Sequence, residues 1–291
     1  MLRRLPAWRG KARATRIAAR VLPPDACVRR IHDDAGFDYL VDLRSRTEAG
    51  VFANGPDDFV APVLSLLMQP GDLVLDIGAN VGLVTLPLAA AARRTGASVI
   101  AVEPIPTNHS RLVDAVRLNG FEDLVTTVHT ALADAPGRTT MSVDRDAPTG
   151  NAYLRTNRHD PAMPTFEVAV RTLDDLLDEV APGRSASLVK IDVEGAEMLV
   201  LGGAQLMLAE HRPVILGEFN SGLMPAFGHT FLDVAAALEP LGYKPYAFVA
   251  GPRVVPIVPE VGRGDVLWIP AERELRVVSA INAAASGARA H

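Results

Sequence analysis

The 291-residue chain is 48% hydrophobic and 22% charged, which supports one large domain with a sizeable core. Its net charge is −5, but residues 1–30 hold nine Lys/Arg against one acid, Asp25, so the remainder is strongly acidic and excludes a nucleic-acid groove, which needs clustered cations. The single cysteine, Cys27, excludes an intrachain disulfide and fits a reducing cytoplasm, and no apolar run reaches the ~18–20 residues of a membrane span.

Residues 1–24 mix Arg with Leu, Ile, Val and Ala. Positions 12–22 have the pattern of an amphipathic helix stopped by Pro23 and Pro24. This basic arm is either a solvated packing segment or a helix for a membrane surface or a partner. Residues 37–43 alternate as a strand, paired in a small hairpin with 27–32, and 56–68 are expected as a helix with Asn54 or Gly55 near its N-cap. Strands then follow at 73–77, 98–103, 125–129, 187–192, 213–219, 243–249 and 265–270, with helices at 82–94, 106–119, 172–180, 196–210 and 230–240. That alternation implies an α/β fold with a mostly parallel, seven-stranded sheet and helices on both faces. Residues 136–170 interrupt it as a small β insertion, a natural lid or substrate wall. The expected organisation is a basic arm and small β element at 1–51, a core domain at 52–279 and a flexible Ala-rich tail at 280–291.

The first core strand ends in Asp76 and runs into the turn Gly78-x-Asn80-x-Gly82 before a helix. Asn80 stands where a dinucleotide fingerprint has its second glycine and Leu83 where the third would fall, which counts against a nicotinamide dehydrogenase. A strand-end acid with this turn suits a ligand carrying an amine, a carboxylate and a ribose but no phosphate, a description met by S-adenosylmethionine. Its binding set is expected to be Asp76, Gly78, Asn80 and Gly82, with Glu103, at the end of the next strand, accepting from ribose hydroxyls. The loop after the third strand flanks the adenine, with Asp134 or its neighbours reaching the exocyclic amine.

Three stretches together resemble the FkbM family of S-adenosylmethionine-dependent methyltransferases: Asp76 to Gly82; Glu103 to Pro106 with Asn119 closing the next helix; and Lys190 to Glu197. The resemblance covers roughly Phe52 to Asn220. It implies a Rossmann-like class I methyltransferase fold and methylation of a small-molecule hydroxyl, on a sugar or a natural-product scaffold. An N-methyltransferase or a non-catalytic S-adenosylmethionine-binding module on the same fold are the alternatives.

Lys190, Asp192 and Glu194 have period-two spacing and share a face if the strand continues. Charged residues at a sheet centre are costly unless paired or functional, so Asp192 is expected near the reacting methyl and Glu194 near the acceptor. Glu218 and Asn220 follow the next strand; with Asp192 they make an oxygen-rich set for Mg²⁺, but Phe219 spoils the spacing and a metal-free reaction is favoured. His229, in a Gly-His-Thr turn, is a candidate general base, as is His129.

Overall fold

The computed structural model describes residues 11–23, 26–56, 59–143, 152–154, 165–219, 221–249, 252–258 and 264–287. The chain begins with α1 (Lys11–Ala19), a hairpin of β1 (Val28–Asp33) and β2 (Phe37–Asp42), α2 (Arg46–Asn54) and α3 (Val60–Leu67). An alternating stretch follows: β3 (Leu73–Ile77), α4 (Thr85–Thr95), β4 (Ser98–Val102), α5 (Pro106–Leu118) and β5 (Val125–Val128). The insertion comprises β6 (Ala131–Leu132), β7 (Gly137–Val143), β8 (Ala152–Leu154) and β9 (Thr165–Arg171). Then come α6 (Leu173–Val180), β10 (Ala186–Ile191), α7 (Glu197–Gly202), β11 (Val214–Phe219), α8 (Phe231–Leu238), β12 (Tyr243–Phe248), β13 (Val254–Pro256), β14 (Gly264–Pro270) and α9 (Glu274–Gly287).

The main sheet has the order β13-β12-β14-β11-β10-β3-β4-β5. Its strands β5, β4, β3, β10 and β11 are mutually parallel, and beyond them each neighbouring pair, β11–β14, β14–β12 and β12–β13, is antiparallel. It therefore has eight strands where seven were expected; the three-residue edge strand β13 is too short to carry a periodic signal. Alternate side chains on each strand serve two cores. On β3, Val74 packs on the face covered by α3, α4, α5 and α9, while Leu73, Leu75 and Ile77 pack under α6, α7 and α8.

Several expectations change. Helix α2 crosses the boundary expected at 51/52, and Phe37, Tyr39 and Val41 of β2 join the same core as Val74, so the hairpin is not a separate element. Asn119 at the end of α5 fastens it: its side chain accepts from the Asp38 N–H (2.7 Å) and donates to the Asp38 carbonyl (2.9 Å). Gly55, with φ 87°, closes α2 rather than opening a helix at 56; α3 starts at Val60. The helix expected at 196–210 stops at Gly202, and a π-helical turn follows at Met207–His211. A Cβ at Gly203 would lie 2.1 Å from the Ala133 carbonyl oxygen, so the chain breaks where it crosses that loop. The tail expected to be flexible from 280 is helical to Gly287, because Val277 and Ile281 of α9 are fully buried in the core. Among the described residues, no helix is long and apolar enough to cross a membrane.

Candidate active site

The crossovers from β3 to β4 and from β9 through α6 to β10 leave β3 at the point where the strand order reverses, the place where open α/β sheets bind ligands. A cleft of about 210 Å³ opens there. Gly78, Asn80, Glu103, Asn108, Lys190, Asp192 and Glu194 give it polar groups, and Val102, Ile105, Ala131, Leu132 and Met141 give it an apolar wall.

Glu103 is buried and anchors the loop opposite it. One carboxylate oxygen accepts the Asn80 N–H (2.8 Å); the other accepts the Ile105 N–H (3.0 Å) and approaches the Asn108 amide (3.5 Å). Burial pushes its pKa up to about 7, opposed by those two N–H donors. A carboxylate has about four acceptor sites, so capacity for a further donor remains. Asn80 holds the left-handed conformation (φ 53°) that asparagine tolerates better than most residues, and its buried side-chain oxygen has no hydrogen-bond partner among the described residues. An orphaned acceptor, a carboxylate with spare capacity and an apolar slot fit a ribose and an adenine ring.

Asp76, expected to meet the ligand, lies behind the cleft instead. It is fully buried and directly opposite Lys190 in the β3–β10 register. Its carboxylate accepts the Thr85 hydroxyl (2.6 Å) and lies 3.3 Å from the Lys190 ammonium. Lys190 also donates to the Gly78 carbonyl (2.8 Å) and lies 3.5 Å from Asp192. Burial alone would discharge the lysine, but Asp76 and Asp192 outweigh it and raise its pKa, so it stays charged.

Close packing at Gly78 and Gly82 leaves no space for a side chain. A Cβ on Gly78 (φ 78°) would stand 1.9 Å from the Asp192 carbonyl oxygen, so the space expected to take a methionine moiety holds backbone. A Cβ on Gly82 (φ 92°) would stand 2.9 Å from Leu112 on α5, and Gly82 does not line the cleft. Asp134 is exposed and packs by Gly202; Thr130, Ala131 and Leu132 form the wall expected of that loop.

Beyond Ile191 the strand ends, so the period-two argument does not place Glu194; a turn does. Glu194 has φ 56°, uncommon for a glutamate, and Gly195 crosses Leu223 with no room for a Cβ. Glu197, fully buried, accepts the Gly195 N–H (2.9 Å) and holds that turn. The carboxyl of Glu194 makes no hydrogen bond or ion pair with a described residue. Burial first, then Asp192, Glu218 and Glu197, push its pKa up to about 7. Glu197 is also raised to about 7, chiefly by burial.

A second cleft, of about 240 Å³, adjoins the first through Val84, Lys190 and Asp192 and is completed by Phe59, Val60, Leu216, Glu218 and Asp265. Strands β10 and β11 are neighbours, so Asp192 and Glu218 do share a cavity. Asn220 lies outside the described residues; among those described, no group of three or more His, Cys, Asp or Glu is placed to hold a metal. His229 lines neither cleft: it precedes Thr230, which caps α8 together with Asp233. His129 stacks on His109 and approaches the Pro104 carbonyl (3.1 Å), also outside both clefts. Sequence reasoning missed Asn108, Glu197 and Thr47. Glu197 lay within the motif quoted for the family, whereas nothing local marks Thr47, which α2 carries to the rim.

The family model described as Methyltransferase FkbM domain matches residues 76–245. A curated relative, Methyltransferase 1 of Beauveria bassiana (strain ARSEF 2860), is 30% identical over 152 residues, covering 45% of this chain and 57% of that protein. The crystal structure of Methyltransferase FkbM from Methylobacillus flagellatus KT shares 17% identity with a TM-score of 0.45, covering 88% of this chain and 58% of that one. Precorrin-6y C5,15-methyltransferase from Geobacter metallireducens GS-15 shares 15% with a TM-score of 0.39, covering 71% and 82%. The chain thus spans a little over half the length of the first two relatives.

Proposed function

The chain belongs to the FkbM family of S-adenosylmethionine-dependent methyltransferases, and on that premise we propose that it methylates a hydroxyl of a small molecule, on a sugar or natural-product scaffold. The observation that carries the proposal is that two clefts share Val84, Lys190 and Asp192 as a common wall: one has the groups for a ribose and a flat ring, and the other is a neighbouring space for an acceptor.

In this reading Glu103 accepts from the ribose hydroxyls, the orphaned Asn80 oxygen takes a donor, and the wall of Val102, Ile105, Leu132 and Met141 holds the adenine. Bound there, S-adenosylmethionine supplies an electrophilic methyl group. Lys190 holds the Gly78 carbonyl and the Asp192 carboxylate in fixed relation, so the cofactor loop and the reacting edge move as one unit. Positioning of this kind can provide much of a displacement's rate. Glu194, in the wall of the first cleft two residues from Asp192, is assigned to take the acceptor's proton, and its raised pKa suits a base working near neutrality.

The test is calorimetry with S-adenosylhomocysteine, followed by transfer of labelled methyl from S-adenosylmethionine to a panel of glycosides and polyketide alcohols with the methylated atom mapped. No binding by the wild-type chain removes the cofactor assignment. A methyl found on nitrogen replaces the hydroxyl acceptor with an amine.

A further inference from the structure

Helix α1 buries Thr15 and Ala19 against the body, and it packs on α2. Away from that buried face α1 exposes Arg13 and Ile17, with Arg16 half-buried beside them, and the turn that ends the helix exposes Arg20 and Val21, so basic and apolar side chains alternate along one short stripe of chain. Ile17 is 55% exposed and Val21 85% exposed. Leu22, next in that turn, is exposed as well, and Cys27, whose thiol reaches the Ala19 carbonyl on the buried side, ties the start of β1 to the end of α1. No acid occurs among residues 11–23, which hold Lys11, Arg13, Arg16 and Arg20, while residues 31–291 contain 33 acids against 20 basic residues.

Apolar side chains this exposed, interleaved with arginines, match a surface that is anionic and has an apolar layer just beneath its charge. We propose that this stripe docks the protein on an anionic lipid surface. Arginines meet the lipid phosphates while Ile17, Val21 and Leu22 enter the boundary between headgroups and acyl chains. A nucleic acid or a purely acidic peptide would satisfy the arginines but leave those apolar tips without a partner. The acidic body is repelled by the same surface, so the charge asymmetry also sets the orientation, with the α1 side facing the lipid. Helix α2, beneath α1, carries Thr47 at the rim of the first cleft, so docking at α1 holds the site one helix layer from the membrane.

Flotation of the full chain with phosphatidylcholine vesicles, with and without phosphatidylglycerol, tests this directly. Binding is expected only to vesicles containing phosphatidylglycerol, and it should fall steeply as salt rises. Reversing three charges (R13E, R16E and R20E together) should weaken it at least roughly a hundredfold. Ile17→Ser with Val21→Ser, which leaves every charge in place, should weaken it as well. Circular dichroism and S-adenosylhomocysteine affinity monitor the fold of each variant. Failure of the wild-type chain to float with phosphatidylglycerol vesicles at low salt overturns the proposal. So does equal binding to uncharged vesicles, or retention by duplex DNA or polyglutamate without any flotation.

Discussion

Gly78 and Asp192 touch backbone to backbone: a Cβ on Gly78 would stand 1.9 Å from the Asp192 carbonyl oxygen, while the Asp192 N–H donates to the carbonyl of the preceding Ile77 (3.1 Å). The two loops that carry the site are therefore one structural unit. Gly78→Ala is expected to damage the fold rather than trim the cofactor pocket, since both the positive φ and the close approach oppose a side chain. Chemical denaturation should show a loss of more than about 2 kcal/mol. A stable Gly78→Ala variant with weakened S-adenosylhomocysteine binding alone would return the glycine to the cofactor.

Lys190→Met should be among the most destabilising single changes. It leaves the fully buried Asp76 carboxylate without its cation and releases the Gly78 carbonyl. Breaking a buried pair from one side costs about 3–5 kcal/mol. The double variant with Asp76→Asn should recover part of that loss, and denaturation of all three variants measures the coupling. Additive losses would show that the pair is not coupled.

Affinity for S-adenosylhomocysteine should rise with pH through about 7 and then level off. Ribose hydroxyls donate to the charged form of Glu103, whose carboxyl is raised to about 7 mainly by burial, so binding releases a proton below that pH. Glu103→Gln should bind about tenfold or more weakly, and without that pH dependence. Calorimetry in buffers of different ionisation enthalpy counts the proton.

Glu194→Gln should stabilise the chain at pH 8 relative to pH 5. A carboxyl raised from 4.5 to about 7 on folding adds no cost below the unfolded value, and stability falls as pH rises through the folded one. Removing the charge relieves repulsion with Asp192, Glu218 and Glu197. Thermal melts at the two pH values report this independently of catalysis. In the same variant methyl transfer should fall at least about a hundredfold with little change in cofactor affinity. Full activity would assign the proton to another group.

Methyl transfer is expected to survive exhaustive chelation, because Asp192 already faces the Lys190 ammonium and Phe219 separates Glu218 from Asn220. Activity lost with chelator and regained with Mg²⁺ would recast Asp192, Glu218 and Asn220 as ligands.

Truncation before residue 25 should lower the melting temperature, since α1 covers α2 and buries Thr15 and Ala19. An unchanged melt would make the helix a pure docking element.

Much of the architecture is written locally. Strand β3 with its terminal acid, the turn through Gly78 and Asn80, the acid ending β4 and Pro106 opening α5 are short-range patterns, because strand period, left-handed turns and helix starts depend on neighbouring residues. From these alone the parallel α/β sheet and the position of Glu103 followed. The roles within the site did not. Asp76 and Lys190 are 114 positions apart in the chain, and only the β3–β10 register brings the acid opposite the lysine. Gly78 has the dihedral angle a turn needs, yet what fills the space beside it belongs to Asp192. His229 stands in a turn of the expected kind, but the path of the chain takes it to the cap of α8, while α2 brings Thr47 to the rim without any local mark. Local sequence determines which conformations each segment prefers; which side chains finally meet is decided by packing between segments far apart in the chain, where burial and pairing assign each charge its partner.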